Sequence, residues 1–546
     1  MSRKIPITES LRDYVERLHY EAVRYKDLLA TVGRDCCPMT DEEWDSSRSY
    51  FQDLCREAQE SLRCAMDTLY ELYGDQIGRE CWRVDFQECA IVLGDAPGPS
   101  GPAVRDGNAF PESYADQLYR LFPPEKITPM VINGERAKNI TIQVTDACNM
   151  ACTYCYQHNK GKHSMPFEVG RAFIDMILDA GERTGTYITS TKCDGAVIDF
   201  IGGEPWLEID LIARLSDYFM GELFRRKHPW AIKFMFSVCS NGLMHFDPRV
   251  QAYIKRHRGH LSYNVSIDGS RELHDSCRID LSGHGTYDRA IAAVDNYRAM
   301  GGRMGSKMTI APGNVDQVGA AVAAMVERGY RHINLNCVYE EGWELCHASE
   351  LYWQLHRVTD WLFSSGLEEE VTLSIFSRHC GHPLTERDDR NWCGGTGLML
   401  AVDWKGDIYP CLRYMESSVG SRREPYVIGN IYDGIRRRAE HCQRVDCMAC
   451  VTRRSQSTDE CWSCPIAQGC GWCSAYNYEV FGTPDKRATY ICCMHKARVL
   501  ANVYYWRRRG YDFAMDCPEE WAVPIIGREE YERLKNMKGG EEHGPC

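Results

Sequence analysis

Three cysteines near the middle of the chain, Cys148, Cys152 and Cys155, are spaced C-x3-C-x2-C within ITIQVTDACNMACTYCYQHN. Three thiolates on one short loop can hold three corners of a cubic iron–sulfur cluster and leave the fourth iron open to a small molecule. Four-cysteine sites close the cluster and carry electrons, whereas three-cysteine sites invite chemistry at the open iron. Before the loop, Ile140, Ile142 and Val144 alternate with polar residues and read as a strand, which Thr145-Asp146 breaks. In an α/β pattern a loop after a strand lies at the carboxyl edge of the sheet, where such folds hold their ligands. Zinc or a chance triplet is the alternative, since the chain carries 28 Cys.

A chain of 546 residues is too long for one ordinary core, so two or three domains are expected. No apolar run reaches membrane-spanning length, and MSRKIPITESLRDYVERL has no apolar signal region. The formal net charge of −13 argues against general nucleic-acid affinity. Without an export signal, the cysteines are expected as reduced thiols in an anaerobic or microaerobic cytoplasm.

The segment 1–93 reads as a helical extension. One helix runs through LRDYVERLHYEAVRYKDLLATVG and a second opens with the capping box Thr40-x-x-Glu43 and stops near Gly74. Residues 94–138, rich in Gly and Pro at the start, read as a loop or linker. From 139 to 370, strand candidates (140–144, 196–201, 232–239, 262–267, 305–310 and 332–337) alternate with amphipathic segments. Six β/α repeats imply a parallel sheet curved into a full or partial barrel. From 371 to 500 cysteine becomes dense and apolar periodicity weakens, as in a domain held together by metal. The stretch 501–546 reads as the end of a helix and a mobile tail.

The triplet, with Tyr154 before its third Cys, resembles the signature of radical S-adenosylmethionine (SAM) enzymes. The resemblance implies a partial (β/α)6 barrel and a [4Fe–4S] cluster whose open iron is chelated by SAM. Reductive cleavage of SAM then gives a 5′-deoxyadenosyl radical that abstracts hydrogen from substrate. Gly202-Gly203-Glu204-Pro205, one β/α unit later, matches the family's GGEP motif. Two glycines let the backbone approach a ligand, and Glu204 offers an acceptor to the SAM amino group. Ser240-Asn241 resembles the polar tip that meets the ribose. In VSIDG…HD-x-x-R, Ser266 and Arg278 take the family's SAM-contacting positions, the Arg at the carboxylate. Asp268 is read equally as a turn or cap residue and as a ligand contact.

Cys393-x12-Gly406-x4-Cys411, then Cys461-x2-Cys464-x5-Cys470-x2-Cys473, then Cys492 and Cys493, resembles the SPASM extension with two auxiliary [4Fe–4S] clusters. The family's usual third gap is one residue longer. The resemblance implies a distal cluster on Cys461, Cys464, Cys470 and Cys492, with Cys493 as the alternative, and a proximal cluster on Cys393, Cys411 and Cys473. The family position for a fourth proximal cysteine holds Arg387. Either Cys380 reaches round or that cluster has an open iron. Zinc knuckles are the competing reading, and Cys442, Cys447 and Cys450 form such a site or are free.

Enzymes of this kind mostly modify peptides or proteins. The related anaerobic sulfatase maturases use an Asp directly after the second proximal Cys; here Leu412 stands there and cannot accept a proton. The expected activity is maturation of a ribosomally made, Cys-containing precursor peptide by a thioether or other crosslink, with a flavodoxin- or ferredoxin-type electron donor. Formylglycine formation and a non-catalytic electron-transfer protein are the alternatives.

Overall fold

The computed structural model describes residues 3–77, 82–85, 90–93, 137–179, 195–302, 305–340, 342–391, 393–396, 399–420 and 423–537. Most of the segment read as a linker, and the tail from 538, lie outside them.

The N-terminal region holds the two expected helices, Glu9–Thr31 and Asp41–Ile77. The capping box forms: Glu43 N–H donates to Thr40 Oγ1 (3.1 Å) and Thr40 N–H to Glu43 Oε2 (2.8 Å). Gly74 does not end the second helix, which continues to Ile77. Nor is the region wholly helical. Strands β1 (Arg3–Pro6), β2 (Trp82–Asp85) and β3 (Ala90–Leu93) pair antiparallel in the order β1-β3-β2. Strands of four residues are too short to show a period of two. Their Ile5, Val84 and Ile91 share a small core with Leu18, Leu62 and Leu69 of the helices.

The other end of the helical pair is docked on the barrel. Trp44 and Phe51 pack on Phe224 at 5.2 and 5.3 Å between ring centroids. Tyr20 donates to the Ile232 carbonyl (2.8 Å), and Arg24 Nη1 lies 2.8 Å from His260 Nδ1. With Arg24 as donor, Nδ1 accepts, so Nε2 carries the imidazole proton and faces the Asp27 carboxylate.

Parallel strands β4 (Ala137–Gln143), β5 (Gly195–Ile201), β6 (Phe234–Ser240) and β7 (Leu261–Val265) form the centre of the molecule. One face is apolar: Ile198, Phe200, Phe234, Phe236 and Tyr263 are buried, with Phe219 of the helix Ile209–Arg225 against Phe234 and Phe236. Each such side chain contributes roughly 1.5–3 kcal/mol on burial. The opposite face is polar, with Thr141, Asp199, Ser237 and Ser262 in one row across the four strands. A fully packed parallel sheet would read as continuous apolar runs. This alternation therefore marks a lumen that is not filled by core.

The next two strands, β8 (Lys307–Ile310) and β9 (His332–Cys337), are parallel but do not join that sheet; they pair with β10 (Thr372–Leu373). The expected six-stranded barrel is thus two hydrogen-bonded sheets. Side chains bridge the gap: Gly305 N–H donates to Asn264 Oδ1 (2.9 Å) and Thr309 N–H to Asp268 Oδ1 (3.4 Å). These side-chain oxygens take backbone donors that a β7–β8 ladder would have used.

On the other edge, β11 (Met399–Val402) pairs parallel with β4, and β12 (Asp407–Tyr409), β13 (Gly429–Asn430) and β14 (Gly434–Ile435) continue antiparallel. The cysteine-dense region therefore contributes strands to the barrel's own sheet. The β11–β12 turn needs Gly406, whose φ is +91° and whose Cβ would lie 2.7 Å from Ile431. Beyond the last cysteines, the helix Cys492–Arg508 is followed by two further helices, Glu519–Ile526 and Arg528–Asn536. Tyr352 of the helix Leu345–Ser364 hydrogen-bonds Glu530 there, so the region from 501 to 537 is packed structure rather than tail.

Candidate active site

The three-cysteine loop leaves the carboxyl end of β4 and is held by backbone. Ala151 and Thr153 N–H donate to the carbonyls of Ile279 (2.9 Å) and Cys277 (3.0 Å), and Glu204 N–H to that of Ala147 (2.9 Å). Gly203 is required: a Cβ there would sit 2.3 Å from the Ala147 oxygen and 2.6 Å from Cys148 Cβ. Burial pushes the Cys148 thiol up to about 11 and raises that of Cys152. Cys148 feels the charge of Cys152, and Cys152 that of Cys155. The loop thus gathers three cysteines, and burial opposes the ionisation of Cys148 and Cys152 until a cation arrives, which fits a positive iron core.

Glu204 is 1% exposed. Its Oε1 accepts from Ser240 Oγ (2.8 Å) and Trp206 N (3.2 Å), and its Oε2 from Asn241 N (2.8 Å). Burial nevertheless lifts its carboxyl to about 7. Asn241 reaches back to Asn149 Oδ1 in the cluster loop (2.6 Å). Gly202-Gly203 precedes Glu204 and Pro205 follows it, opening a short 3-10 turn. Ser266 is half-buried beside Cys239, their Oγ and Sγ 3.5 Å apart.

Asp268 is fully buried, and its carboxylate takes Arg278 Nε (2.7 Å) and the Tyr154 hydroxyl. Of its two sequence readings, neither a turn residue nor a free ligand group describes it. It ties Tyr154, in the cluster loop, to Arg278. The Tyr154 side chain is thereby committed to Asp268.

The second cysteine field divides into two groups. Cys411 feels the charges of Cys393 and Cys473, and Cys473 that of Cys393. Separately, Cys492 feels Cys470 and Cys461, and Cys464 feels the same two. Burial raises the thiols of Cys411, Cys473, Cys464 and Cys492, the last to about 11. Cys493 turns elsewhere, donating to the Trp343 carbonyl (3.4 Å) and feeling Cys346. Cys380 feels Cys470, so it faces the distal group and not the proximal one. Among the described residues no three His, Cys, Asp or Glu side chains converge tightly enough for a single ion. A cluster distributes its ligands one to each iron and does not require that convergence.

No protein-family profile matches the chain. It is 24% identical over 349 residues to the mycofactocin maturase MftC of Mycolicibacterium smegmatis, covering 62% of this chain and 78% of that one. It is 20% identical over 393 residues to the serine-type anaerobic sulfatase-maturating enzyme of Bacteroides thetaiotaomicron, covering 63% and 84%. The chain spans 24% of the length of one curated relative that it matches, an uncharacterized protein of Methanocaldococcus jannaschii, at 33% identity over 81 residues. The chain is a radical SAM enzyme. The solved structure of native anSMEcpe with bound AdoMet and Kp18Cys peptide matches at a TM-score of 0.48 and 17% identity, over 67% of this chain and 97% of that one.

A radical SAM enzyme uses a [4Fe–4S] cluster with SAM at its open iron. In this one Cys148, Cys152 and Cys155 would hold the cluster, with Glu204, Ser240, Asn241, Ser266 and Arg278 around the cofactor. Two side chains absent from the sequence reading connect this site to the proximal cysteines. Tyr156 feels the charges of Cys155, Cys239 and Asp199, and the Arg413 guanidinium lies 5.1 Å over its ring. Arg413 in turn feels Cys473 and pairs with Glu340 (3.1 Å). Their signal was adjacency alone: Tyr156 directly follows Cys155, and Arg413 lies two after Cys411. Asp199 was also missed. It sits in the lumen, hydrogen-bonded to Ser237 and facing Lys307, with its carboxyl raised by burial to about 6. A strand search looks for apolar residues, so a polar lumen face carries no such signal.

Proposed function

We propose that this radical SAM enzyme matures a peptide, installing a thioether or other crosslink in a ribosomally made, Cys-containing precursor. The observation that carries the reading is the bridge Cys155–Tyr156–Arg413–Cys473, which makes the SAM-cluster loop and the proximal cysteines neighbours across one pair of side chains. A substrate lying there would be within reach of both. Similarity to MftC supports it. Leu412, directly after Cys411, supports crosslinking over formylglycine formation, because it offers no group to take a proton.

In this reading two auxiliary [4Fe–4S] clusters complete the cofactor set. Cys461, Cys464, Cys470 and Cys492 would hold the distal one. Cys393, Cys411 and Cys473 would hold the proximal one; Cys380 faces the distal group instead, which leaves the fourth position for a substrate thiolate. When bound, SAM and its cluster supply a carbon-centred radical that removes hydrogen from substrate. The protein's own part is to position and exclude. Glu204, Ser240 and Asn241 orient the cofactor. Asp268 holds Arg278 in place. Arg413, neutralised by Glu340, and Tyr156 close the space between the two cysteine groups. A flavodoxin or ferredoxin is the expected donor. Co-expression with a small Cys-containing peptide encoded nearby tests the reading by mass spectrometry. Loss of two hydrogens from the peptide, abolished in a Cys148/Cys152/Cys155→Ala variant, is the expected result; an unchanged mass across such peptides would refute it.

A further inference from the structure

Two arginines sit against the distal cysteine group, and among the described residues no carboxylate forms an ion pair with either. Arg487 Nη2 donates to Cys470 Sγ (2.8 Å) and to the carbonyls of Gly471 (2.8 Å) and Cys470 (3.2 Å). Arg453 donates through Nη1 to the Cys470 carbonyl (3.0 Å) and through Nη2 to that of Ala467 (3.1 Å). They are only 6% and 7% exposed, and Arg453 Nε and Arg487 Nη1 have no hydrogen-bond partner. The Arg487 guanidinium disfavours the charge on Arg453. Two buried cations side by side, each holding an unspent N–H, are costly unless an anion lies between them. The anionic groups at hand are the thiolates of Cys461 and Cys470, whose charges Arg453 feels.

The surroundings add to the positive side. Lys496 reaches the field of Cys464 and Cys492, and Arg498 Nη1 donates to the Gly469 carbonyl (3.0 Å). The nearest acids in sequence are Asp459, Glu460 and Asp485; the first two are exposed to solvent, where water screens them, and Asp485 is half-buried and takes the Ser455 hydroxyl. The proximal group differs. Its buried cation is Arg413, and Glu340 cancels that charge at 3.1 Å.

Reduction of an iron–sulfur cluster adds one negative charge, so cations and N–H donors to its sulfurs favour the reduced form. We propose that Arg453 and Arg487 form a cationic seat that raises the reduction potential of a cluster on Cys461, Cys464, Cys470 and Cys492 above that of one on the proximal triad. The inference rests on the auxiliary-cluster reading proposed above. The step it governs is a one-electron transfer: the proximal cluster is oxidised by one electron, the distal cluster is reduced by one, and no proton moves. The distal side is then the electron sink, and flow runs away from the substrate.

The test uses the full chain, reconstituted anaerobically with iron and sulfide, in a Cys148/Cys152/Cys155→Ala background so that the auxiliary clusters alone report. Redox titration followed by electron paramagnetic resonance gives their midpoints. A Cys461→Ala/Cys464→Ala variant identifies the distal signal by its loss. The higher-potential couple should be the distal one. Arg487→Gln and Arg453→Gln should each shift its reduced-to-oxidised ratio at least tenfold at fixed potential, a fall of 59 mV or more, with the proximal couple unmoved. Arg487→Lys keeps the charge and should shift less. If Arg487→Gln loses distal iron, Arg487→Lys carries the test: a smaller fall supports the seat and none refutes it. A distal couple that retains its iron and ignores both Gln substitutions, or that lies below the proximal one, overturns the inference. Zinc or no metal at the distal cysteines of the otherwise unaltered chain would instead sink the cluster reading beneath it.

Discussion

Glu204→Gln separates what the carboxylate does for the fold from what it does for SAM. The side chain serves three protein donors: Ser240 Oγ and Trp206 N on one oxygen, Asn241 N on the other. The glutamine oxygen can keep the first two. Its NH2 then faces the Asn241 N–H, donor against donor, at about 1–3 kcal/mol of stability. The substitution also removes a charge, and a charged acceptor facing the SAM amino group is worth about 1.5–3 kcal/mol. That corresponds to a SAM Kd raised about 10- to 150-fold. Anaerobic titration calorimetry with the cluster oxidised, so that SAM is not cleaved, measures it. The pH dependence sharpens the test. With its carboxyl near 7, Glu204 becomes a donor as pH falls, so Kd should rise about tenfold per pH unit below about 7 and lose that slope in the variant. Stability runs the other way. A carboxyl raised from 4.5 contributes stability that is fully present below 4.5 and lost as pH rises through about 7, about 3 kcal/mol in all. A variant Kd within threefold of the original, with full iron and an unchanged melting temperature, would refute the assignment of Glu204 to the cofactor.

Gly203→Ala should cost the SAM cluster its iron while leaving the rest of the iron in place, because the new Cβ falls 2.3 Å from the Ala147 oxygen; equal iron loss from every site would mean general unfolding instead. Cys492→Ser should reduce bound iron by about one cluster and Cys493→Ser should not, since Cys492 faces Cys461 and Cys470 while Cys493 faces Trp343; the reverse pattern would assign the ligand to Cys493. Five histidines are held neutral by burial, His19, His228 and His274 down to about 4 and His257 and His495 to about 3. The unfolded chain binds their protons first, so stability should fall as pH drops below 6.5, by up to about 2 kcal/mol per histidine at pH 5. Urea midpoints at pH 7.5 and 5 read this, and equal midpoints would contradict it.

Legibility followed spacing. The two cysteine fields, GGEP and the polar strand ends are local strings, and local strings survive in a one-dimensional reading. The strands β4 to β9 were visible because one face is apolar with a period of two. What escaped was set by distance or by shortness. Arg453 and Arg487 lie 17 residues on either side of Cys470, with nothing in their neighbourhoods to tie them to it. β11 is four residues long and stands in a segment that read as cysteine-rich and aperiodic, yet it completes the barrel's sheet. The break between β7 and β8 was hidden too, because hydrophobic periodicity reports which face of a strand is buried and is silent on which strand lies beside it.

That added strand changes how the two cysteine groups are related. The SAM-cluster loop follows β4, and Cys411 follows β12 by two residues. Between them runs a single ladder, β4 to β11 to β12, with Ile140 opposite Leu400 and Ala401 opposite Tyr409. Gln143, at the end of β4, donates to Ser417 Oγ (2.8 Å), and Asn159 donates to the carbonyls of Glu416 and Val419 (both 3.0 Å). A slip of one residue anywhere in this ladder would turn every side chain to the opposite face and bury the lumen's polar row against the apolar core. The gap spanned by Tyr156 and Arg413 is therefore fixed by backbone register. It does not depend on how two separate domains dock, which would leave relative motion as the default. In the proposed reading, hydrogen is removed at one end of that gap and an electron passed at the other, and such an enzyme gains from a separation the sheet cannot change. Variation in substrate is then left to the loops and the polar lumen, where Asp199 and Lys307 face one another.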